Sequence, residues 1–134
     1  MSKLFLAIAI FSTLAISTPS VTLAEAIPVA QAPNCNNPQT QSEMNQCAAI
    51  ASRNSDRQLN QVYQQLLPRL SSSRKQKLIQ AQRAWITFRD TSCEFERSEF
   101  AGGSIEPAIY NGCLANLTQR RTQELEQYLQ STRR

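Results

Sequence analysis

The chain has 134 residues, a formal net charge of +4 and no histidine; 41% of its residues are hydrophobic and 18% charged. That length holds one small domain. The lack of histidine removes the commonest general base at neutral pH and the usual nitrogen ligand of zinc.

The first element is "MSKLFLAIAIFSTLAISTPSVTLAEA". Lys3 supplies a short positive region, Leu4 to Ile16 is almost unbroken apolar sequence, and Ala24-Glu25-Ala26 follows the small-x-small pattern. This is the arrangement of a secretory signal peptide, and an apolar core of roughly 13 residues is too short to span a bilayer comfortably. Residues 1–26 are expected to be removed, with Ala24 and Ala32 as alternative cleavage sites. Cys35 follows Ala-Pro-Asn rather than a small apolar tripeptide, so lipid attachment is not expected. Cleavage removes Lys3 and Glu25 together and leaves the net charge unchanged. The mature chain has no second long apolar run. It is expected to be a monomer without a transmembrane segment, periplasmic or secreted.

All four cysteines, Cys35, Cys47, Cys93 and Cys113, lie in the mature part. In a small exported chain an even count reads as two disulfides, which supplement a core of limited size. There is no C-x-x-C pair to favour zinc, and neither a metal nor another cofactor is expected. Residues 27–39, "IPVAQAPNCNNPQ", contain three prolines and no periodicity, and read as an extended tail. Thr40 and Glu43 have the spacing of a capping box. A helix over about 41–70 follows, with Met44, Cys47, Ala48, Ala51, Leu59, Val62, Tyr63, Leu66 and Leu70 at three- and four-residue spacing. Pro68 kinks its last turn or ends it near Leu67.

A second helix follows the serines at 71–73 and runs to about Phe100. One line on it is Leu78, Ala81, Trp85, Phe88, Ser92 and Phe95; another is Ile79, Ile86, Cys93 and Phe100. Two lines predict two neighbours and a central position, with Trp85 and Phe88 facing inward. "AGGS" at 101–104 ends this helix, and Glu106-Pro107 opens a third carrying Ile109, Tyr110, Cys113, Leu114, Leu117, Leu125, Tyr128 and Leu129. Residues 131–134 are expected to fray. The fold class is all-α: a small three-helix up-down-up bundle over 40–130 with two disulfides. If helices 1 and 2 fold back around a turn near residue 71, Cys47 lies level with Cys93, leaving Cys35 for Cys113. Pairing 35 with 93 and 47 with 113, or 35 with 47 and 93 with 113, stays open.

No catalytic constellation stands out. Lys75 and Lys77 beside the serine turn are ordinary exposed lysines. Asp90 and Glu94 are i,i+4, but Arg89 and Arg97 would hold both charged, whereas a glycosidase pair needs one protonated acid. The chain is not expected to be an enzyme. Basic residues gather at Arg69, Arg74, Lys75 and Lys77, and again at Arg120, Arg121, Arg133 and Arg134. Export argues against nucleic acid, leaving a solubilising surface or contact with anionic envelope polymer.

The stretches "QSEMNQCA", "DRQLNQVYQQL", "AQRAWITFRDTSC", "GGSIEPAIYNGCL" and "LTQRRTQEL" together resemble the exported-domain family named after the lysozyme inhibitor LprI. The resemblance spans about Cys35 to Leu129. Its pattern falls on Met44, Asn45 and Cys47; on Asp56, Leu59, Asn60 and Tyr63; on Gln82, Trp85, Arg89, Asp90 and Cys93; and on Gly102, Gly103, Cys113, Arg121 and Leu125. It implies an exported, helical, disulfide-bearing binding protein, with lysozyme or another envelope protein as partner. A structural or accessory envelope protein binding anionic polymer through Arg120 and Arg121 is the alternative. Common lysozymes are strongly basic, so a +4 chain lacks long-range steering toward them. Local acidity at Glu94, Glu96, Glu99 and Glu106 is therefore the expected contact. Tyr63, Asp56, Asn60, Gln82, Arg89 and Asp90 are expected, with Trp85 and Phe88, to support the helices as core or polar partners.

Overall fold

The computed structural model describes residues 32–132. The expected signal peptide, the start of the tail and the last two residues lie outside the described residues. Three helices follow in order: α1 (Gln41–Leu66), α2 (Ser72–Ser98) and α3 (Glu106–Ser131). Thr40 and Glu43 start α1 as their spacing predicts. The Thr40 hydroxyl accepts from the Glu43 N–H at 3.1 Å, and the Glu43 carboxylate accepts from the Thr40 N–H at 3.2 Å. Such a cap stabilises a helix by about 1 kcal/mol. At the far end α1 tightens into a 3-10 turn, Leu67–Arg69, with Pro68 near its start where a missing N–H costs nothing. Gly102, in the left-handed region at φ 76°, turns the chain between α2 and α3.

α1 and α3 run parallel and form the closest and most extensive helix pair. At one end the Asn45 side-chain amide donates to the Ser104 carbonyl at 2.9 Å. At the other, Leu59 and Leu66 pack with Leu125 and Leu129 in the buried core. Between them the buried positions are small: Ser52 and Ser55 on α1, Ala115, Thr118 and Thr122 on α3. Their spacing of three and four residues makes one seam per helix, and small side chains let the backbones approach. Two of the hydroxyls bond back along their own helices: Ser55 donates to the Ala51 carbonyl at 3.0 Å and Thr122 to the Thr118 carbonyl at 2.9 Å. Each fully buried leucine adds about 2 kcal/mol of burial energy.

α2 is not central. It packs on α3 and reaches α1 chiefly through long side chains. Phe88 is 58% exposed and Phe95 78%, so the inward orientation expected of Phe88 is overturned. The seam between α1 and α3 is closed by serines, threonines and alanine, leaving no slot for a phenylalanine on that side of α2.

The disulfides are Cys35–Cys47 and Cys93–Cys113, not the 47–93 and 35–113 pairs favoured by folding helix 2 back on helix 1. The joint that sets the register is the one between α2 and α3. Cys93 lies five residues before the end of α2 and Cys113 seven after the start of α3, so the two face each other across that turn. The free tail then closes locally, from Cys35 to the second turn of α1.

Candidate functional site

Around Trp85, polar residues of all three helices converge. Trp85 packs against the leucine core. The Arg89 guanidinium sits 5.2 Å from its ring centroid and the Arg121 guanidinium 6.0 Å, close enough for cation–π attraction. Arg89 is largely buried, its side chain 14% exposed. It spans the three helices: Nη1 donates to Asp56 of α1 at 2.9 Å and to the Thr118 hydroxyl of α3 at 3.3 Å, and Nε donates to Asp90 beside it at 2.9 Å. Neighbouring residues on a helix diverge by about 100°, but the arginine stem is long enough to bend back to Asp90.

Arg121 makes the matching contact from α3. Its Nε donates to the Gln82 side-chain oxygen at 3.0 Å, and its Nη1 pairs with Glu124 at 2.8 Å. Its side chain is 12% exposed, so it does not stand beside Arg120 on an open basic face. Gln82 is buried and Arg120 exposed. The open side of this cluster is a groove of about 480 Å³ between α1 and α2, bordered by Asp56, Asn60, Tyr63, Trp85, Ile86 and Arg89. Asn60 stands at its rim, exposed.

Asp56 and Asp90 are each 47% exposed at the side chain, so solvent screens their attraction for Arg89. Arg89→Ala is expected to cost about 1–2 kcal/mol, less than the loss of a fully buried pair. Denaturant midpoints of Arg89→Ala, Asp56→Ala and the double variant check this. A change within about 0.5 kcal/mol for Arg89→Ala would equal an ordinary surface substitution and refute the cross-helix role.

The acidic residues proposed for partner contact lie elsewhere, around the end of α2 and the turn to α3. Glu94 pairs with Arg97 at 2.7 Å. Glu106 accepts from the Gly102 N–H at 2.9 Å and lies 3.6 Å from Arg97, whose guanidinium covers the Tyr110 ring at 4.8 Å. Two of the four acids are thus engaged in holding the turn. Glu96 and Glu99 are exposed and, with Phe95, Phe100 and Ile109, line a shallow depression. Phe95 is the residue here that periodicity hid, because it falls in the same line as Trp85. Thr118 and Glu124 also escaped notice; the i+3 spacing of Glu124 from Arg121 was the available signal. Among the described residues, no group of three or more His, Cys, Asp or Glu side chains is placed to hold a metal ion, and no helix is long and apolar enough to cross a membrane.

Comparison with known proteins adds the family. The model of the family described as "Lysozyme inhibitor LprI" matches residues 33–125. An uncharacterized protein of Rhizobium meliloti (strain 1021) is 36% identical over 112 aligned residues, covering 74% of this chain and 81% of the relative. No solved structure matches. The matched span takes in the tail cysteine, both disulfides and the three-helix cluster around Trp85. The chain belongs to the lysozyme inhibitor LprI family.

Proposed function

We propose that this chain is an exported binding protein that inhibits lysozyme by protein–protein contact, reaching the periplasm or exterior by a cleaved signal peptide. The family match over residues 33–125 carries this reading. Two disulfides agree with an oxidising, extracytoplasmic compartment. The contact surface is the acidic end of α2 and the α2–α3 turn. There exposed Phe95, Glu96 and Glu99 line one depression, and Glu94 and Glu106 are each near Arg97 at the same end. Local acidity faces a basic enzyme while the chain as a whole remains positive.

Titrating the mature domain against lysozymes of differing charge, reading both binding and cell-wall lysis, tests the proposal. Inhibition is expected to weaken when Glu96, Glu99 and Glu106 are changed to Gln. Exposed Arg120 and the groove bordered by Arg74 and Lys77 favour the second reading, an accessory protein on anionic envelope polymer. No complex with any lysozyme at micromolar concentration, together with salt-sensitive retention on that polymer, would establish the second reading instead.

A further inference from the structure

The outward face of α2 carries a line of exposed residues: Arg74, Lys77, Ala81, Phe88, Phe95 and Glu99. Steps of seven and eleven residues keep each of them within about 40° of Phe88 around the helix. The middle of the line is apolar, with Phe88 58% and Phe95 78% exposed. Two cations stand at one end and an acid at the other, and none of the three forms an ion pair among the described residues. Aromatic residues are enriched in interaction surfaces relative to the rest of a protein's exterior.

We infer that this face pairs with the same face of a second copy of the chain, the two α2 helices antiparallel about a two-fold axis through Phe88. The spacing is self-complementary. Ala81 and Phe95 each lie seven residues from Phe88, so each Phe95 ring meets the partner's small Ala81. Lys77 and Glu99 each lie eleven residues away, so each acid meets a lysine at both ends of the contact. Beside Ala81 the helix opens into a groove of about 280 Å³ with Leu70, Leu78 and Tyr128 in its lining, room for the incoming ring. A two-fold contact needs one surface that fits itself, and large against small with opposite charge is such a fit.

A basic partner protein would suit Glu99 but be repelled by Arg74 and Lys77; an acidic one would meet the reverse conflict. A second copy gives Lys77 and Glu99 each an opposite charge. The pairing goes beyond the lysozyme proposal and does not rest on it. Pairing covers Phe95 and Glu99 and so competes with lysozyme for those two residues, while Glu96, about 80° around the helix from Phe88, and Glu106 on α3 stay open.

Sedimentation velocity of the oxidised mature chain over a range of concentrations tests the inference. A dimer that dissociates on dilution and weakens with salt is expected. Phe88→Asp and Phe95→Asp should each raise the dimer Kd by at least about 30-fold, the low end of interface hot-spot effects. Lys77→Glu and Glu99→Lys should each weaken pairing, and the double exchange should restore it. These side chains are exposed, so helical content by circular dichroism should not change. A chain monomeric up to millimolar concentration would overturn the inference, as would a dimer indifferent to Phe95→Asp and to the charge exchange. A monomer whose Phe95 instead governs lysozyme binding would also overturn it and assign the face to that enzyme.

Discussion

Trp85→Ala is expected to lower the free energy of unfolding by about 3 kcal/mol, toward the lower end for loss of a large aromatic because the ring is only partly buried. The loss has two sources. The ring covers the leucine core of α1 and α3 from the α2 side, and its removal opens a gap there. It also withdraws the aromatic surface beside Arg89 and Arg121, leaving both guanidinium groups against empty space. Trp85→Phe keeps a ring between the two cations and should cost less, about 1 kcal/mol. As this is the single tryptophan of the chain, unfolding must be followed by circular dichroism rather than fluorescence. An unchanged midpoint would show that the ring neither seals the core nor seats the arginines.

Removing the Cys93–Cys113 bridge by alanine replacement of both residues should cost about 3 kcal/mol, the chain-entropy value for a loop of 20 residues. Both cysteines are buried, so the replacement must also fill the site without the sulfur atoms. Removing Cys35–Cys47 should cost less. That bridge fastens an exposed tail to the first turns of α1, and its loss releases the tail without loosening the helix seam. Peptide mapping without reduction should recover 35 joined to 47 and 93 joined to 113. Recovery of a 47–93 peptide would refute the helix arrangement described above.

The helices were legible because their ends carry local chemistry: a capping box at Thr40, Pro68 at the end of α1, glycines and Pro107 around the start of α3. The order of packing was not. Counting apolar residues identified two lines on α2 and made it the central helix, whereas the tightest seam is built from Ser52, Ser55, Thr118 and Thr122, which hydropathy scores as neutral or polar. Once those residues draw α1 and α3 together, α2 is left with one covered side, and Phe88 and Phe95 face outward. The cysteine pairing failed for the same reason, since it assumed that α1 and α2 form the close pair. Part of the polar cluster was legible: Asp56, Gln82, Arg89 and Asp90 were expected to support the helices, and they meet around Trp85. Arg121 was not placed there, because its position next to Arg120 in sequence gave no sign that one would turn inward and the other out.

The one-sided attachment of α2 also sets how the domain opens. Its C-terminal half is pinned to α3 by Cys93–Cys113 and to α1 by Arg89, whereas residues 71–77 are all exposed. Amide protons should therefore exchange with solvent in a gradient along this one helix, fastest near Ser72 and slowest near Cys93. Those of the α1–α3 seam should exchange only through global unfolding. Partial opening is then confined to the first turns of α2 up to Lys77, because Leu78, Gln82 and Trp85 hold the rest against the core and Arg121 while the two parallel helices remain docked.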